Sequence, residues 1–210
     1  MVALPQKFFL LKGNRLGHSL RDTYEMNLNH SKEIEELIKL CISGDRRAQQ
    51  KLFILCYPLS MSVCRRYAHT LEEAKSLVNE GMLKVFNQLD RYNLQLSFGG
   101  WVRRIMINTA IDEFRRNKKY LERFADLETE EIPHYFEEDV LDKISAEELL
   151  SLVQQLPPAY RMVFSLYAVE DYTHKEIAEH LGISEGTSKS NYAKAKAKLQ
   201  KAIGSLHNLK

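Results

Sequence analysis

The sequence has few of the residues that interrupt helices. Nine glycines and five prolines make up about 7% of its 210 residues, against about 12% in average proteins. This scarcity disfavours a turn-rich β fold and predicts an all-α chain. No apolar run approaches the roughly 20 residues that a membrane-spanning helix needs, which argues against an integral membrane protein. A hydrophobic fraction of 44% predicts that the chain buries a core.

Cysteine is equally scarce. Cys41, Cys56 and Cys64 form no C-x-x-C pair, and no histidine lies at a metal-ligand spacing from them. We expect reduced, mostly buried thiols in a cytoplasmic protein that holds no metal and no other cofactor. The first 20 residues contain no long apolar stretch and no small-residue cleavage site, so we expect no signal peptide.

Residues for catalysis are missing as well. The seven histidines are scattered, no glycine-rich phosphate loop is present, and no nucleophile, base and oxyanion donor can be grouped from the sequence. These absences predict a protein that is not an enzyme and has no small-molecule substrate.

The charges are distributed unevenly, although the formal net charge is only +2. Ten acidic residues and the single base Lys143 lie between Asp126 and Glu148, whereas five lysines and the single acid Glu185 lie between Ser184 and Lys201. Basic patches beside an acidic middle indicate local binding of a polyanion.

The helical signals divide the chain into parts. We predict an extension with no core pattern and no fixed structure, a first helical domain, an acidic flexible linker and a second helical domain, at residues 1–31, 32–117, 118–143 and 144–210. Met1 and Met26 both remain candidates for the translation start.

The first domain contains three strong helix signals. Asp45 is a predicted N-cap of a helix that Pro58 interrupts, and Thr70 begins a capping box with Glu73. The helix after Thr70 places Leu77, Val78, Met82, Val85 and Phe86 toward the core. The opposite face carries Ser76, Asn79, Glu80, Leu83 and Asn87.

A third helix is predicted from Phe98 to about Asn117 and is apolar around most of its circumference. At about 100° per residue, one narrow polar stripe remains, made of Arg104, Asn108, Asp112 and Arg115. Arginine and asparagine contact phosphates and base edges, so the stripe is a candidate DNA surface. A solvated stripe with a structural Arg–Asp pair is the alternative.

Aromatic residues lie beside this stripe. Rings next to basic side chains can stack on unpaired bases. We expect Phe98 and Trp101 to belong to the core and Tyr92 to be the ring available for a base.

The second domain has the pattern of a helix-turn-helix. Thr173 and Glu176 form a capping box, Gly182 allows a left-handed turn, and Ser184 caps the final helix. Residues Ser188, Tyr192, Ala195, Leu199, Ala202 and Ile203 share one inward arc. The opposite side of the final helix combines small residues with lysines, as expected of a DNA-recognition helix.

Two pairs of segments resemble a known family. Ser76–Phe86 (SLVNEGMLKVF) and Phe98–Arg116 (FGGWVRRIMINTAIDEFRR) resemble region 2 of an extracytoplasmic-function sigma factor of the sigma-70 family. Leu156–Phe164 (LPPAYRMVF) and Glu176–Ser190 (EIAEHLGISEGTSKS) resemble its region 4. The resemblance covers roughly residues 32–117 and 144–205. It implies a subunit that binds core RNA polymerase, directs it to specific promoters and helps to open the DNA.

The resemblance also implies roles for region 2. The contact to the clamp coiled coil of the largest core subunit would be made by Ser76, Asn79, Glu80 and Leu83. The loop Asp90–Ser97, which contains Tyr92, and the helix after it would recognise and open the minus-ten element and capture a flipped base. The helix residues implied are Arg104, Asn108, Asp112, Arg115 and Arg116.

Region 4 would read the minus-thirty-five element and dock on the flap of the second-largest core subunit. The DNA contacts implied are Glu185, Thr187, Lys189, Ser190, Lys194 and Lys196. The chain departs from the family pattern at Ser76 and Asn79, where members often carry Asp and Gln, and at Ser188, where an apolar residue is usual. Some members are held inactive by an anti-sigma factor, and the sequence leaves open whether this one is.

Two other functions remain as alternatives. A helix-turn-helix regulator with an N-terminal sensor or dimerisation domain would explain the second domain but has no need of the Arg104–Arg115 stripe. An adaptor that binds only protein would leave the lysines of the final helix unexplained.

Overall fold

A computed structural model describes residue 28, residues 32–125 and residues 145–207, with side chains described as far as 117 and 205 in the last two ranges. Within these ranges the chain is all-α, as predicted, with eight α-helices, one 3₁₀ turn and no strand. The predicted extension 1–31 and most of the predicted linker 118–143 lie outside the described residues. The predicted domain boundaries therefore stay predictions.

The chain divides into two compact units, and the boundary falls between Asp112 and Glu113. The first unit contains helices α1 (Lys32–Ile42), α2 (Arg46–Cys64) and α3 (Leu71–Gln88), the 3₁₀ turn Leu89–Arg91, and the first half of α4 (Phe98–Ala125). The helix α4 continues beyond its predicted end at Asn117.

Helix α2 begins as predicted but does not end as predicted. The Asp45 side chain accepts hydrogen bonds from the backbone N–H groups of Arg47 and Ala48 at 2.8 and 2.9 Å, which confirms the N-cap. The helix continues through Pro58 to Cys64, so the interruption expected at Pro58 is wrong. Pro58 is exposed, and the carbonyl that lacks an N–H partner there can be hydrated while the buried Leu59 and its neighbours hold the helix in place.

The N-terminus of α3 is capped in a modified way. The hydroxyl of Thr70 accepts from the Glu73 N–H at 3.1 Å, as predicted. The Glu73 carboxylate, however, accepts from the N–H of His69 at 2.7 Å, one residue before the N-cap. The first bond satisfies a backbone donor of the first helical turn, and the second satisfies the backbone donor just before the N-cap.

The core of the first unit follows the predicted periodicity. The apolar residues of α3 and α4 named from the sequence are buried at Leu77, Val78, Met82, Val85, Val102, Ile105, Met106, Ile107, Ala110 and Ile111, whereas Phe86, Trp101 and Phe114 are partly exposed. Gly81 lies against α4, and a Cβ there would lie 2.4 Å from the Met106 sulfur. A side chain at this position would therefore force the Met106 side chain to move, which glycine avoids.

The three cysteines are buried and unpaired with one another, as expected. Burial raises the pKa of the Cys56 and Cys64 thiols to about 12, and burial together with the nearby Asp45 carboxylate raises that of Cys41 to about 11. The thiolate is therefore scarce at neutral pH, and all three behave as core residues.

The second unit contains α5 (Ala146–Gln155), α6 (Pro158–Ala168), α7 (His174–Leu181) and α8 (Glu185–His207). Its core is formed by residues of α5, α6 and α8 and by the turn between α5 and α6, namely Leu152, Val153, Leu156, Tyr160, Phe164, Ala168, Ala195, Leu199 and Ile203. The buried Arg161 donates to the carbonyls of Gln154 and Leu156 at 2.6 and 3.3 Å, which satisfies acceptors at the end of α5.

Helices α7 and α8 form the predicted helix-turn-helix. Thr173 and Glu176 make both bonds of the capping box, and the bonds from Thr173 lower the pKa of the Glu176 carboxyl. Gly182 has φ 62° and ψ 43°, the left-handed conformation that glycine adopts without strain. Ser184 accepts from the Thr187 N–H at 3.0 Å and caps α8.

Candidate functional site

The solvent-facing side of α3 carries an isolated apolar residue. Ser76, Asn79 and Leu83 are exposed and Glu80 is half-buried; these four residues are the α3 face. Leu83 is 60% exposed, although it follows directly on the fully buried Met82. A leucine in this position contributes nothing to the core of the unit, and its side chain is available to a partner.

The predicted stripe on α4 has the expected exposure. Arg104, Asn108, Asp112 and Arg115 are all exposed; these four residues are the α4 stripe. The next predicted residue, Arg116, is also exposed and forms an ion pair with Glu113. The stripe therefore combines cationic and amide donors on one side of a helix whose other sides are mostly buried.

Asp112 is paired with a residue that the sequence analysis did not single out. The ammonium group of Lys84 on α3 donates to Asp112 Oδ2 at 2.9 Å and lies 3.3 Å from Glu80 Oε1. The Arg–Asp pair considered as an alternative for the stripe is thus a Lys–Asp pair between two helices. Only the Glu80–Lys84 half has a sequence signal, the i,i+4 spacing.

The aromatic prediction needs correction. Tyr92 is only 8% exposed, its ring centroid lies 5.1 Å from those of both Phe98 and Trp101, and its hydroxyl donates to the Leu96 carbonyl. Burial, with the Glu35 carboxylate, also raises the pKa of the Tyr92 hydroxyl. Tyr92 is thus a core ring, like Phe98, and the expectation that it is the available one is wrong. Trp101 is partly exposed, contrary to its predicted place in the core.

The loop between the 3₁₀ turn and α4 is held by its own hydrogen bonds. The Asn93 side chain accepts from the Gln95 N–H at 2.9 Å, and the Ser97 hydroxyl accepts from the Gly100 N–H at 3.1 Å. Leu94 and Leu96 are exposed on this loop. Leu94, Leu96 and the partly exposed Trp101 are the apolar residues near the start of α4 that are accessible to solvent.

The start of α8 presents Glu185, Thr187, Lys189 and Ser190, all exposed; these four residues are the α8 face. Lys189 forms an ion pair with Glu185 at 2.6 Å, and this pairing lowers the pKa of the Glu185 carboxyl. Because both side chains are exposed, the pair is weak, and Lys189 can exchange it for another anionic partner.

The two other predicted lysines of α8 do not share this exposure. Lys194 is partly buried, with its ammonium 5.9 Å from the centroid of the Tyr160 ring. Lys196 is partly buried, and burial lowers its pKa. At about 100° per residue, Lys196 lies about 20° around α8 from Lys189, two turns further along the helix. Its place in the DNA-facing set therefore stays a prediction.

The unusual Ser188 has a polar partner. It is fully buried, and its hydroxyl lies 3.0 Å from Nδ1 of His174, which stacks on Tyr167 with centroids 4.2 Å apart. The same cluster includes Tyr192, whose pKa burial raises to about 12. Ser188 thus replaces an apolar contact with a hydrogen bond between the two helices of the helix-turn-helix, a pairing that spacing alone does not reveal.

None of the helices in the described ranges has the length and hydropathy of a membrane span. The described residues likewise contain no group of three or more histidines, cysteines, aspartates or glutamates arranged to bind a metal ion.

A helix-turn-helix in one unit and the exposed Arg104 and Asn108 in the other are features typical of a DNA-binding transcription factor with two parts. Comparison with known families agrees. The model of sigma-70 region 2 matches residues 52–120, and the model of sigma-70 region 4 matches residues 146–199. Together these two regions of one family span more than half of the chain.

Known relatives cover most of the chain. It is 28% identical over 182 residues to the ECF RNA polymerase sigma factor SigM of Mycobacterium tuberculosis, covering 85% of this chain and 88% of SigM. It is 27% identical over 185 residues to the ECF RNA polymerase sigma factor SigW of Bacillus subtilis, covering 82% and 98%. A solved structure of the sigma factor RpoE from Bartonella quintana, in complex with the anti-sigma factor NepR, aligns with a TM-score of 0.43 at 16% identity, covering 72% of this chain and 94% of RpoE.

The chain therefore belongs to the extracytoplasmic-function group of the sigma-70 family, and it is an RNA polymerase sigma factor that directs transcription initiation at promoters.

Proposed function

We propose that this sigma factor divides its work among three surfaces: the α3 face binds the clamp coiled coil of core polymerase, the α4 stripe contacts the minus-ten element, and the α8 face contacts the minus-thirty-five element. The observation that carries the proposal is the α4 stripe. A helix that is buried on most sides yet keeps Arg104 and Asn108 exposed presents donors suited to a polyanion.

The α3 face supports a protein contact. Interfaces combine a buried apolar anchor with a polar rim that makes hydrogen bonds. Leu83 is the apolar residue on this face, and Ser76, Asn79 and Glu80 surround it with polar groups. This arrangement is suited to a helical partner, such as the clamp coiled coil, that can cover Leu83 and bond to its neighbours.

The surface near the start of α4 supports base capture. Leu94, Leu96 and Trp101 offer apolar and aromatic area beside the α4 stripe. Unstacking a base costs a few kcal/mol, and a base regains about 1–3 kcal/mol by stacking on an aromatic side chain. Trp101 takes the place of Tyr92 as the ring proposed for this contact.

The α8 face supports duplex recognition. Lys189 supplies a cation, and Thr187 and Ser190 supply short hydroxyl side chains that allow close approach to DNA. We also propose that the chain has no catalytic activity of its own, acts in the cytoplasm with the polymerase, and leaves nucleotide chemistry to the core enzyme.

Reconstitution with purified core polymerase tests this function. Sigma-free core is incubated with a pool of genomic fragments, with and without the protein, and transcripts are sequenced. We expect transcripts that start at a small set of shared promoter sequences only when the protein is present. Unchanged transcription would contradict the proposal. Specific binding of the protein to duplex DNA without core would instead support a helix-turn-helix regulator.

Lys189→Ala is expected to lower the affinity of the holoenzyme for promoters with an intact minus-thirty-five element by about tenfold, since one phosphate or base contact is lost. Core binding should stay unchanged. The measurement is an equilibrium titration with fluorescent promoter DNA, and Lys39→Ala, an exposed lysine on α1, is the matched control. An equal loss of core binding would show that the α8 face is misassigned.

A further inference from the structure

Lys84 connects two of the surfaces described above. Its ammonium group bonds to Asp112 Oδ2 at 2.9 Å across the α3–α4 interface and lies 3.3 Å from Glu80 Oε1 on its own helix. Glu80 belongs to the α3 face and Asp112 to the α4 stripe. The Lys84 side chain is only 29% exposed, so its position between the two carboxylates is restricted by packing.

The pairing matters because of what the α4 stripe has to approach. Asp112 is the acidic member of a stripe whose other members are Arg104, Asn108 and Arg115, and DNA carries dense negative charge. An uncompensated carboxylate on such a surface repels phosphates. The cation of Lys84 cancels one of the two negative charges of Asp112 and Glu80, and its side chain is less exposed than that of Asp112.

We propose that Lys84 is a positioning residue for promoter binding: it holds the Asp112 carboxylate in an ion pair, which weakens the repulsion between this carboxylate and the DNA phosphates. The inference rests on the proposed function of the stripe. It adds a residue of α3 to the promoter-binding apparatus, although that residue itself makes no contact with DNA.

A double-mutant cycle in the full-length protein, assembled with core polymerase, tests the inference. The variants are Lys84→Met, Asp112→Asn and the double variant, and the measurements are the affinity of the holoenzyme for promoter DNA and the affinity of the chain for core. We expect Lys84→Met to lower promoter affinity by about tenfold in the wild-type background. In the Asp112→Asn background the same change should cost less than about twofold, because the α4 stripe then carries no carboxylate for Lys84 to pair.

Salt separates this electrostatic role from a purely structural one. Repulsion is screened at high ionic strength, so the ratio of wild-type to Lys84→Met promoter affinity should fall as salt rises. Lys84→Arg, which keeps the charge, should stay within about threefold of wild type. If Lys84→Met does not fold, as judged by thermal unfolding, Lys84→Gln takes its place in the cycle.

Two outcomes overturn the inference: promoter affinity that is unchanged by Lys84→Met, or a loss of the same size in both Asp112 backgrounds. Arg104→Ala in the same holoenzyme distinguishes this failure from failure of the proposed function. If Arg104→Ala lowers promoter affinity but the cycle shows no coupling between Lys84 and Asp112, only the role proposed for Lys84 is contradicted. If Arg104→Ala has no effect, the α4 stripe itself is misassigned.

Discussion

Leu83→Asp is expected to weaken binding of this sigma factor to core polymerase by about 100-fold, equivalent to about 2.8 kcal/mol. The side chain is 60% exposed, so the substitution leaves the core of the first unit intact. In the complex it removes the apolar anchor of the α3 face and forces a carboxylate to lose its hydration. The measurement is an equilibrium titration of labelled protein with purified core.

The matched control is Leu71→Asp. Leu71 is a 53% exposed leucine on the same helix, about 120° around α3 from Leu83, and it lies in the first turn, where an acidic residue is favourable. The Leu71→Asp variant should bind core with the affinity of the wild type. Asn79→Ala removes only one polar contact, and we expect a loss of about tenfold. Equal effects of Leu83→Asp and Leu71→Asp would contradict the assignment of the α3 face.

Arg104→Ala and Asn108→Ala are each expected to lower promoter affinity of the holoenzyme by about tenfold or more, since the first removes a phosphate contact and the second a base contact. Their salt dependence should differ. Loss of an arginine that contacts phosphate reduces the slope of log affinity against log salt by about one, whereas loss of an asparagine that contacts a base leaves the slope unchanged.

The control for these two variants is Arg46→Ala on α2, which removes an exposed arginine from the same unit away from the stripe. Core binding should be unaffected in all three proteins. Permanganate reactivity of unpaired thymines follows DNA opening, and it should fall for Arg104→Ala and Asn108→Ala at saturating DNA. Normal opening in both would mean that the α4 stripe does not act at the minus-ten element.

The proposed binding through several surfaces requires only a modest affinity from each of them. A base contact, a phosphate contact and one apolar anchor each contribute little alone, but once one unit is bound, the linked chain raises the effective concentration of the other at its own site. Unstacking a base costs a few kcal/mol, which the combined contacts to core and DNA can offset.

The helices and most of the exposed faces were predictable from local pattern. The caps at Asp45, Thr173 and Ser184 and the left-handed Gly182 follow from residue types with one preferred backbone geometry. The exposure of the α4 stripe follows from helical periodicity. Pro58 was misjudged because buried neighbours on both sides keep the helix intact despite the lost hydrogen bond.

The errors at the candidate site have a common cause. Whether Tyr92 or Trp101 keeps an exposed edge depends on how three rings pack, and their spacing in the chain does not decide it. Side-chain burial is a property of the neighbouring helices as well as of the helix that carries the residue.

The amino-acid order alone determined the all-α class, the helix-turn-helix and the polar sides of α3, α4 and α8, because these depend on contacts within a few residues. Only the tertiary structure decided that Lys84 pairs with Asp112, that Ser188 bonds to His174, and that Tyr92 is a core residue. Each of these joins residues on different elements, and such contacts arise only when packing brings the elements together.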